Sequence, residues 1–361
     1  MVKKRKLKIA MFCSNEYSTP PPGESIYAPL WLTSWIAEGM VKRGHKVYLF
    51  GSSDSKTKAK LISEEKKSLY KNTKKFSKSN VTHSSMVGMY ENILVGKMYQ
   101  MAQKGMFDLI HVHPYRRAFH LAPLIKIPTV ITIHDPLDDP FRKFIFQYYK
   151  KYPQLFFVSI SKAQRKAAPN LRYAGTVYNG IEMTKYKFNK KDGDFFLTAG
   201  RLTKEKGIHV ACKIAKITKV PLKIAGQITD EEYFKKEIKP NLKYKNIQYI
   251  GVVPYKKMPQ LYKKAKCFLF PIQWEEPFGL VMTEAMACGT PVIAFGHGSV
   301  PEIIKDKKTG FIVNNLKQAV DAVEKIGQIK RSDCRKWVEN KFGVEKMIDE
   351  YEKIYYRVAK K

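Results

Sequence analysis

Several features that would restrict the class of protein are missing from this sequence of 361 residues. The five cysteines are widely spaced and form no CxxC pair, so they indicate neither a disulfide framework nor a zinc site, and a reducing compartment fits. No apolar run approaches the ~20 residues that a membrane-spanning helix needs. The sequence begins with basic residues and then an apolar run that ends at Cys13. This run is too short for the apolar region of a signal peptide, and we interpret it as a first strand.

Acidic residues are scarce, with 32 Asp and Glu against 66 Lys and Arg, which gives a formal net charge of +34. A positive field of this size favours anionic partners such as nucleotides, phospholipid surfaces or nucleic acid. Most basic residues are Lys, a bias that AT-rich codons would also produce. Because Arg, the preferred bidentate reader of phosphate and guanine, is not enriched, no nucleic-acid partner is expected.

Two nucleotide-binding motifs are also absent. The sequence has no G-x-x-x-x-G-K-[ST] and no G-x-G-x-x-G, so it supports neither P-loop nor dinucleotide chemistry. What it does have is a regular alternation of apolar strands and amphipathic helices, which is typical of parallel α/β sheets. Residues 189–194 interrupt this alternation with a polar, charged, turn-rich stretch, where we place a domain boundary.

The alternation predicts an α/β fold with two doubly wound parallel sheets. We assign residues 1–188 to a first domain, 189–338 to a second, and 339–361 to a C-terminal helix. Residues 54–80 are rich in Lys and Ser, and we predict a solvated excursion there with one helix and an edge hairpin.

The stretch 270–289 carries the most informative pattern. A strand ends at Pro271, a loop carries Glu276, and a helix begins near Gly279, whose free N–H groups would favour an anion. Glu284 falls inside this mostly apolar helix, where a carboxylate needs partners. Two solvated glutamates on a capped surface helix are the alternative interpretation.

Cations and histidines also end predicted strands. Arg201 follows one strand and Lys206 begins the next helix, a placement that suits a diphosphate, although both could be surface residues of a Lys-rich chain. His134 ends another strand, at the edge of a parallel sheet where ligands bind. His113 ends the neighbouring strand and is as readily a structural histidine.

Taken in order, these motifs resemble retaining glycosyltransferase family 4. The resemblance rests on EPFGL (276–280) with Glu284 and Ala285, on GTPVIA (289–294), and on GSVPE (298–302). It also rests on TGFIV (309–313), AGR (199–201) with Lys206 and Gly207, and VYNGI (177–181). The motifs span nearly the whole chain in the family's order.

The resemblance implies a B-type glycosyltransferase fold, with two Rossmann-like domains facing across a cleft and a last helix that crosses back to the first domain. It implies transfer of a sugar from a UDP- or GDP-linked donor, without a cofactor or a metal, to a glycan, lipid-linked or small-molecule acceptor. The residues it implicates in catalysis are His134, Glu276, Arg201 and Lys206. Those it implicates in binding the nucleotide-sugar are Gly23, Arg201, Lys206, Glu276, Phe278, Gly279, Leu280 and Glu284.

Three features depart from the family pattern or imitate another. The first loop has the single glycine Gly23 where family members often have a pair. Asp192 and Asp194 form a DxD sequence, but it lies before a strand, where a polar turn is expected. The acidic residues near His134, beginning with Asp135, lack the further ligands that a metal site would need.

Other functions and a membrane contact stay open. A sugar-nucleotide epimerase or a sugar synthase would use the same fold, and a basic nucleic-acid-binding protein is a more distant alternative. The expected location is the cytoplasm, with a possible peripheral contact to an anionic membrane. Residues 56–78 combine many Lys with Leu61, Ile62, Leu69, Tyr70 and Phe76, and are the candidate for that contact.

Overall fold

The computed structural model describes residues 5–23, 27–64 and 66–360. The chain divides into two compact units. The first comprises Met1–Ile160, Arg165–Tyr178 and Met347–Lys361. The second comprises Ser161–Gln164 and Asn179–Lys346. Apart from the short excursion Ser161–Gln164, the chain changes units at 178/179 and 346/347. The sequence places its domain boundaries at 188/189 and 338/339.

The first unit contains a seven-stranded sheet in which every pair of neighbours is parallel. Its strands are β1 (Lys8–Phe12), β2 (Lys46–Phe50), β3 (Lys60–Ile62), β4 (Leu109–Val112), β5 (Thr129–Ile133), β6 (Leu155–Ser159) and β7 (Tyr173–Thr176). The strand order is β3-β2-β1-β4-β5-β6-β7, so the winding direction reverses between β1 and β4. In a doubly wound sheet, ligands bind at the carboxyl ends of the strands beside this reversal.

Helices connect these strands. They are α1 (Ala28–Lys42), α2 (Leu69–Asn72), α3 (His83–Gln103), α4 (Tyr115–Ala118), α5 (Pro140–Tyr149) and α6 (Lys162–Arg165), with 3₁₀ turns at Thr73–Phe76 and Phe119–Leu124. Buried residues of α3, α4, the Phe119–Leu124 turn and α5 share one hydrophobic core with residues of the sheet. These four elements therefore form a single layer over one face of the sheet.

The Lys-rich stretch after β2 differs from its prediction. β3 extends the edge of the sheet parallel to β2, so the predicted edge hairpin is wrong. Leu69 is buried and Leu61 and Ile62 are half-buried, which leaves Tyr70 and Phe76 as the exposed apolar residues. A strand followed by short helical turns replaces the continuous amphipathic segment.

The second unit contains a six-stranded sheet, again parallel throughout. Its strands are β8 (Phe195–Ala199), β9 (Leu222–Ala225), β10 (Ile247–Tyr249), β11 (Ala265–Phe270), β12 (Val292–Phe295) and β13 (Gly310–Val313). The order is β10-β9-β8-β11-β12-β13, which puts the reversal between β8 and β11. The helices are α7 (Ile208–Thr218), α8 (Glu231–Tyr233), α9 (Met258–Lys264), α10 (Leu280–Ala287), α11 (Val300–Ile303), α12 (Leu316–Lys325) and α13 (Arg331–Phe342).

The last helix, α14 (Val344–Val358), joins the first unit from Met347 onward. Its Tyr351 hydroxyl lies 2.9 Å from Oγ1 of Thr132 on β5. Arg43 at the end of α1 forms ion pairs with Asp349 at 2.5 Å and with Glu352 at 2.9 Å. A residue with a side chain could not replace Gly39 without movement, because a Cβ there would lie 2.3 Å from the Ile348 side chain.

Candidate functional site

The reversal in the second sheet brings two loops side by side. Gly200 to Lys206 leave the carboxyl end of β8, and Pro271 to Gly279 leave the carboxyl end of β11. Because β8 and β11 are neighbouring parallel strands, both loops open at the same sheet edge. The predicted catalytic residues of this unit, Arg201, Lys206 and Glu276, all lie in these loops.

Lys206, Glu276 and Trp274 form one connected group. The Lys206 ammonium donates a hydrogen bond of 2.6 Å to Oε2 of Glu276, with 17% and 13% of the two side chains exposed. The Trp274 indole N–H donates to the same oxygen at 3.2 Å, and the ammonium lies 4.9 Å from the Trp274 ring centroid. Such a half-buried pair is held more firmly than an exposed one and leaves two ammonium protons for a ligand.

Two glycines allow this arrangement. Gly207 has φ +68°, and a Cβ there would lie 1.8 Å from the carbonyl oxygen of Pro271. Gly298 has φ +56°, and a Cβ there would lie 2.4 Å from the carbonyl oxygen of Glu276. Only glycine permits both the left-handed backbone and the close approach. These contacts fix the Lys206 turn and the Glu276 loop against their neighbours.

The remaining predicted residues around this loop differ in exposure. The Arg201 side chain is exposed, and Gly279, with φ +74°, precedes the first turn of α10. Gly279 and Leu280 are half-buried, so their backbone remains accessible to a ligand. The Phe278 ring is instead buried, 5.9 Å from the ring of Phe342, so its side chain belongs to the core.

Glu284 is a buried residue of α10, and tyrosines surround its carboxylate. Its two carboxylate oxygens accept hydrogen bonds from Tyr186 at 2.8 Å and from Tyr262 at 2.9 Å. The Tyr255 hydroxyl lies 3.0 Å from that of Tyr186 and also donates to Glu284. Burial raises the pKa of Glu284, and the tyrosine hydrogen bonds offset only part of this rise. The carboxylate thus has the partners that burial requires, and a ribose diol would have to share it with them.

The first unit places its two candidate histidines in contact. Nδ1 of His113 lies 2.8 Å from Nε2 of His134, and Nε2 of His113 is buried without a hydrogen-bond partner among the described residues. Burial lowers the pKa of His134 to about 4 and lowers the pKa of His113 well below its usual range, so both rings are neutral. An unpaired buried N–H is rarer than an unpaired acceptor. We therefore assign the shared proton to Nδ1 of His113, which leaves His134 protonated at Nδ1.

The structure places the single glycine of the first loop, the acidic residues after His134 and the DxD sequence as follows. Gly23 is a half-buried turn residue. Asp139 caps α5 by accepting a hydrogen bond from the Arg142 backbone N–H at 2.8 Å. Asp192 and Asp194 lie in the turn that precedes β8. Within the described residues, no group of three or more His, Cys, Asp or Glu side chains is arranged to hold a metal ion.

Sequence reasoning did not identify Trp274 or the tyrosines around Glu284. Trp274 could have been suspected because it lies two residues before Glu276. Tyr186 is 98 residues from Glu284 in the sequence, and no local pattern links them.

Two family models match adjacent parts of the chain. The model described as Glycosyltransferase Family 4 matches residues 35–184, and the model described as Glycosyl transferases group 1 matches residues 181–343. The chain therefore belongs to the group 1, family 4-like glycosyltransferases. This confirms the resemblance that the motifs carry.

The chain is also similar to a curated protein over part of its length. An uncharacterised 41.2 kDa protein in the cps region of Klebsiella pneumoniae is 31% identical over 186 residues, which are 49% of this chain and 48% of that protein. The chain thus spans about half the length of this relative.

No helix in the described part of the chain has both the length and the apolar character needed to cross a bilayer.

Solved structures establish the fold. A glycosyltransferase involved in avilamycin A biosynthesis matches with a TM-score of 0.70 and 19% identity, covering 98% of both chains. The Anabaena protein HepE, solved in complex with UDP and glucose, matches with a TM-score of 0.68 and 17% identity, covering 96% of this chain and 98% of its own. The predicted two-domain α/β fold of B-type glycosyltransferases is confirmed.

Proposed function

We propose that this protein is a retaining glycosyltransferase that transfers a sugar from a UDP- or GDP-linked donor to a glycan, lipid-linked or small-molecule acceptor. The observation that supports the proposal is the group of residues on the loops after β8 and β11, where the strand order of the second sheet reverses. There an exposed arginine, a lysine paired with a carboxylate and the N-terminus of α10 lie on two adjacent loops. This combination suits a diphosphate joined to a hydroxylated sugar.

The proposed chemistry is a same-face substitution. The bond between the anomeric carbon and the diphosphate oxygen breaks, the acceptor oxygen bonds to that carbon, and the departing phosphate oxygen takes the acceptor proton. Arg201 and Lys206 would stabilise the negative charge that grows on the diphosphate. Because Glu276 already holds one proton of the Lys206 ammonium, the lysine is oriented before the donor arrives.

The other residues would position the substrates. Glu284 would accept hydrogen bonds from the ribose, and Glu276 and His134 would orient the transferred sugar. With Nδ1 protonated, His134 would donate a hydrogen bond to a sugar or phosphate oxygen. Most of the rate enhancement would then come from positioning and electrostatics, without a dedicated general base.

Several finer points belong to the same proposal. The UDP in the HepE structure supports a uridine donor. We propose that the reaction needs no divalent metal or cofactor. We also propose a cytoplasmic location, with the nucleotide-sugar on the second unit and the acceptor on the first.

The first experiment is a thermal-shift panel of nucleotide-sugars and bare nucleotides. A ligand at 100 times its dissociation constant adds about 2.7 kcal/mol of stability. A donor found in this way is then incubated with candidate acceptors, and release of nucleoside diphosphate together with a glycosylated product supports a transferase. Isomerised donor without any acceptor would identify the epimerase alternative. Absence of any nucleotide-dependent shift would contradict the proposal.

A further inference from the structure

The outer face of α5 carries an exposed aromatic stripe. Phe141, Phe144 and Tyr148 are 69%, 64% and 49% exposed. Their spacing of three and four residues places them on one side of the helix. The opposite side packs into the core through Phe146, which lies 5.1 Å from Phe119 between ring centroids. The helix is therefore fixed to the unit by one face and presents phenyl rings to solvent on the other.

The stripe lies on the helical layer described above, to which α5 contributes Phe146. Other members of the layer expose large apolar side chains as well: Met89 and Ile93 on α3, and Leu124 in the adjoining 3₁₀ turn. Soluble proteins seldom leave so many large apolar residues exposed on one layer without a binding role.

The same layer is strongly basic. Residues 83–104, 115–126 and 140–152 contain nine Lys or Arg and a single acidic residue, Glu91. Glu91 is 1% exposed and is neutralised by Arg117, whose Nε donates to it at 2.7 Å. The outward charge of the layer is therefore positive. Just after the end of α5, Lys151 places its ammonium 4.0 Å from the Tyr148 ring centroid, at the edge of the aromatic stripe.

We propose that this surface, formed by α5 and the outer faces of α3 and the Phe119–Leu124 turn, docks the protein on an anionic lipid bilayer. Phenyl rings enter the boundary between headgroups and acyl chains, while long Lys side chains reach the phosphates. A second copy of this chain is a poor occupant, because each copy carries a net charge of +34. The docking is independent of the proposed chemistry and uses different residues from the 56–78 stretch.

The test is flotation of the intact protein with two kinds of vesicle. One is pure phosphatidylcholine, and the other contains equal parts of phosphatidylcholine and phosphatidylglycerol. We expect binding to the anionic vesicles at low salt. The double variant Phe141→Ser/Phe144→Ser should bind at least about tenfold more weakly, through loss of buried apolar surface. The variant Lys143→Gln/Lys150→Gln should bind about 30-fold more weakly, at roughly fivefold for each charge near the surface.

Matched controls separate this surface from the general charge of the chain. Ile217→Ser removes an apolar residue of α7 that is 54% exposed, and Lys317→Gln/Lys325→Gln removes two exposed charges from α12. Both should retain vesicle binding, and circular dichroism should show that all variants remain folded. Failure of the parent protein to bind anionic vesicles overturns the proposal. So does unchanged binding by Phe141→Ser/Phe144→Ser, and loss of self-association in that variant would then identify a protein interface.

Discussion

The ammonium group of Lys206 and the carboxylate of Glu276 are 2.6 Å apart, although 70 residues separate them in the sequence. Lys206 follows β8 and Glu276 follows β11, so their contact depends on the pairing of those two strands. A diphosphate that approached Lys206 would meet an ammonium already directed by Glu276 and by the Trp274 ring. The pair therefore links the residue expected to bind phosphate to the residue expected to bind sugar.

Loss of either cation should slow turnover. We expect Arg201→Ala and Lys206→Ala each to reduce turnover by on the order of a hundredfold or more, as removal of a charge-stabilising donor does. Lys204→Ala is the matched control, because Lys204 lies in the same turn with its side chain exposed. The measurement is nucleotide release from the donor that the thermal-shift panel identifies. Near-normal turnover in either variant would place the diphosphate elsewhere.

The two glutamates should differ in the step that they affect. Glu284→Gln should weaken nucleotide binding by roughly 1–3 kcal/mol, since an amide accepts a ribose hydrogen bond less strongly than a carboxylate. Glu276→Gln should mainly lower turnover, because its contacts matter more as the anomeric carbon gains positive charge.

Calorimetric titration with the bare nucleotide and with the intact donor tests this difference. Glu275→Gln is the control and should be mild, because Glu275 is 63% exposed and accepts a hydrogen bond from the Gly298 backbone. If Glu284→Gln binds the bare nucleotide as tightly as the parent protein, Glu284 does not bind the ribose and only accepts the hydrogen bonds of the tyrosines.

We expect the indole N–H of Trp274 to hold the Glu276 carboxylate in position. Trp274→Phe keeps a ring beside Lys206 but removes the 3.2 Å hydrogen bond to Glu276, and we expect turnover to fall about tenfold. Trp337→Phe is the control, since it also removes an indole hydrogen bond, to the carbonyl of Ile303 at 2.7 Å, away from these loops. An equal fall in both variants would indicate a general loss of stability.

His134 should stay neutral until the solution is strongly acidic. Burial lowers its pKa to about 4, so the folded state binds the proton more weakly than the unfolded chain does. Its contribution to stability is therefore complete above the ordinary value of 6.5 and is lost as the pH falls from there toward 4.

Histidine proton NMR spectra, assigned by comparison with His134→Gln, should show the His134 resonance titrating near pH 4. A midpoint near 6.5 would contradict the buried His113–His134 contact.

Metal removal should leave the reaction unaffected. In the proposed mechanism, Arg201 and Lys206 would supply at the diphosphate the charge that Mg²⁺ or Mn²⁺ supplies elsewhere. Activity after treatment with EDTA should equal that of the untreated protein. Activity that EDTA abolishes and Mn²⁺ restores would show that the reaction depends on a metal.

The sequence by itself determined the fold class and the strand ends that the candidate site residues follow. Apolar strands followed by helices indicate parallel sheets, and parallel sheets collect polar residues at their carboxyl ends. That reasoning located Arg201, Lys206, Glu276 and His134 before any coordinates. It places a domain boundary at the polar turn 189–194, whereas the compact units change at 178/179, since a polar turn need not coincide with a change of unit.

Only the tertiary structure decided which side chains meet. The tyrosines that surround Glu284, the contact between His113 and His134, and the Lys206–Glu276 pair join residues that are distant in the sequence. Side-chain periodicity reports which face of an element is buried but not which partner covers it. On α5 even the buried face is not evident from the sequence, because aromatic residues occur on both sides of the helix. Packing leaves Phe146 buried and Phe144 exposed.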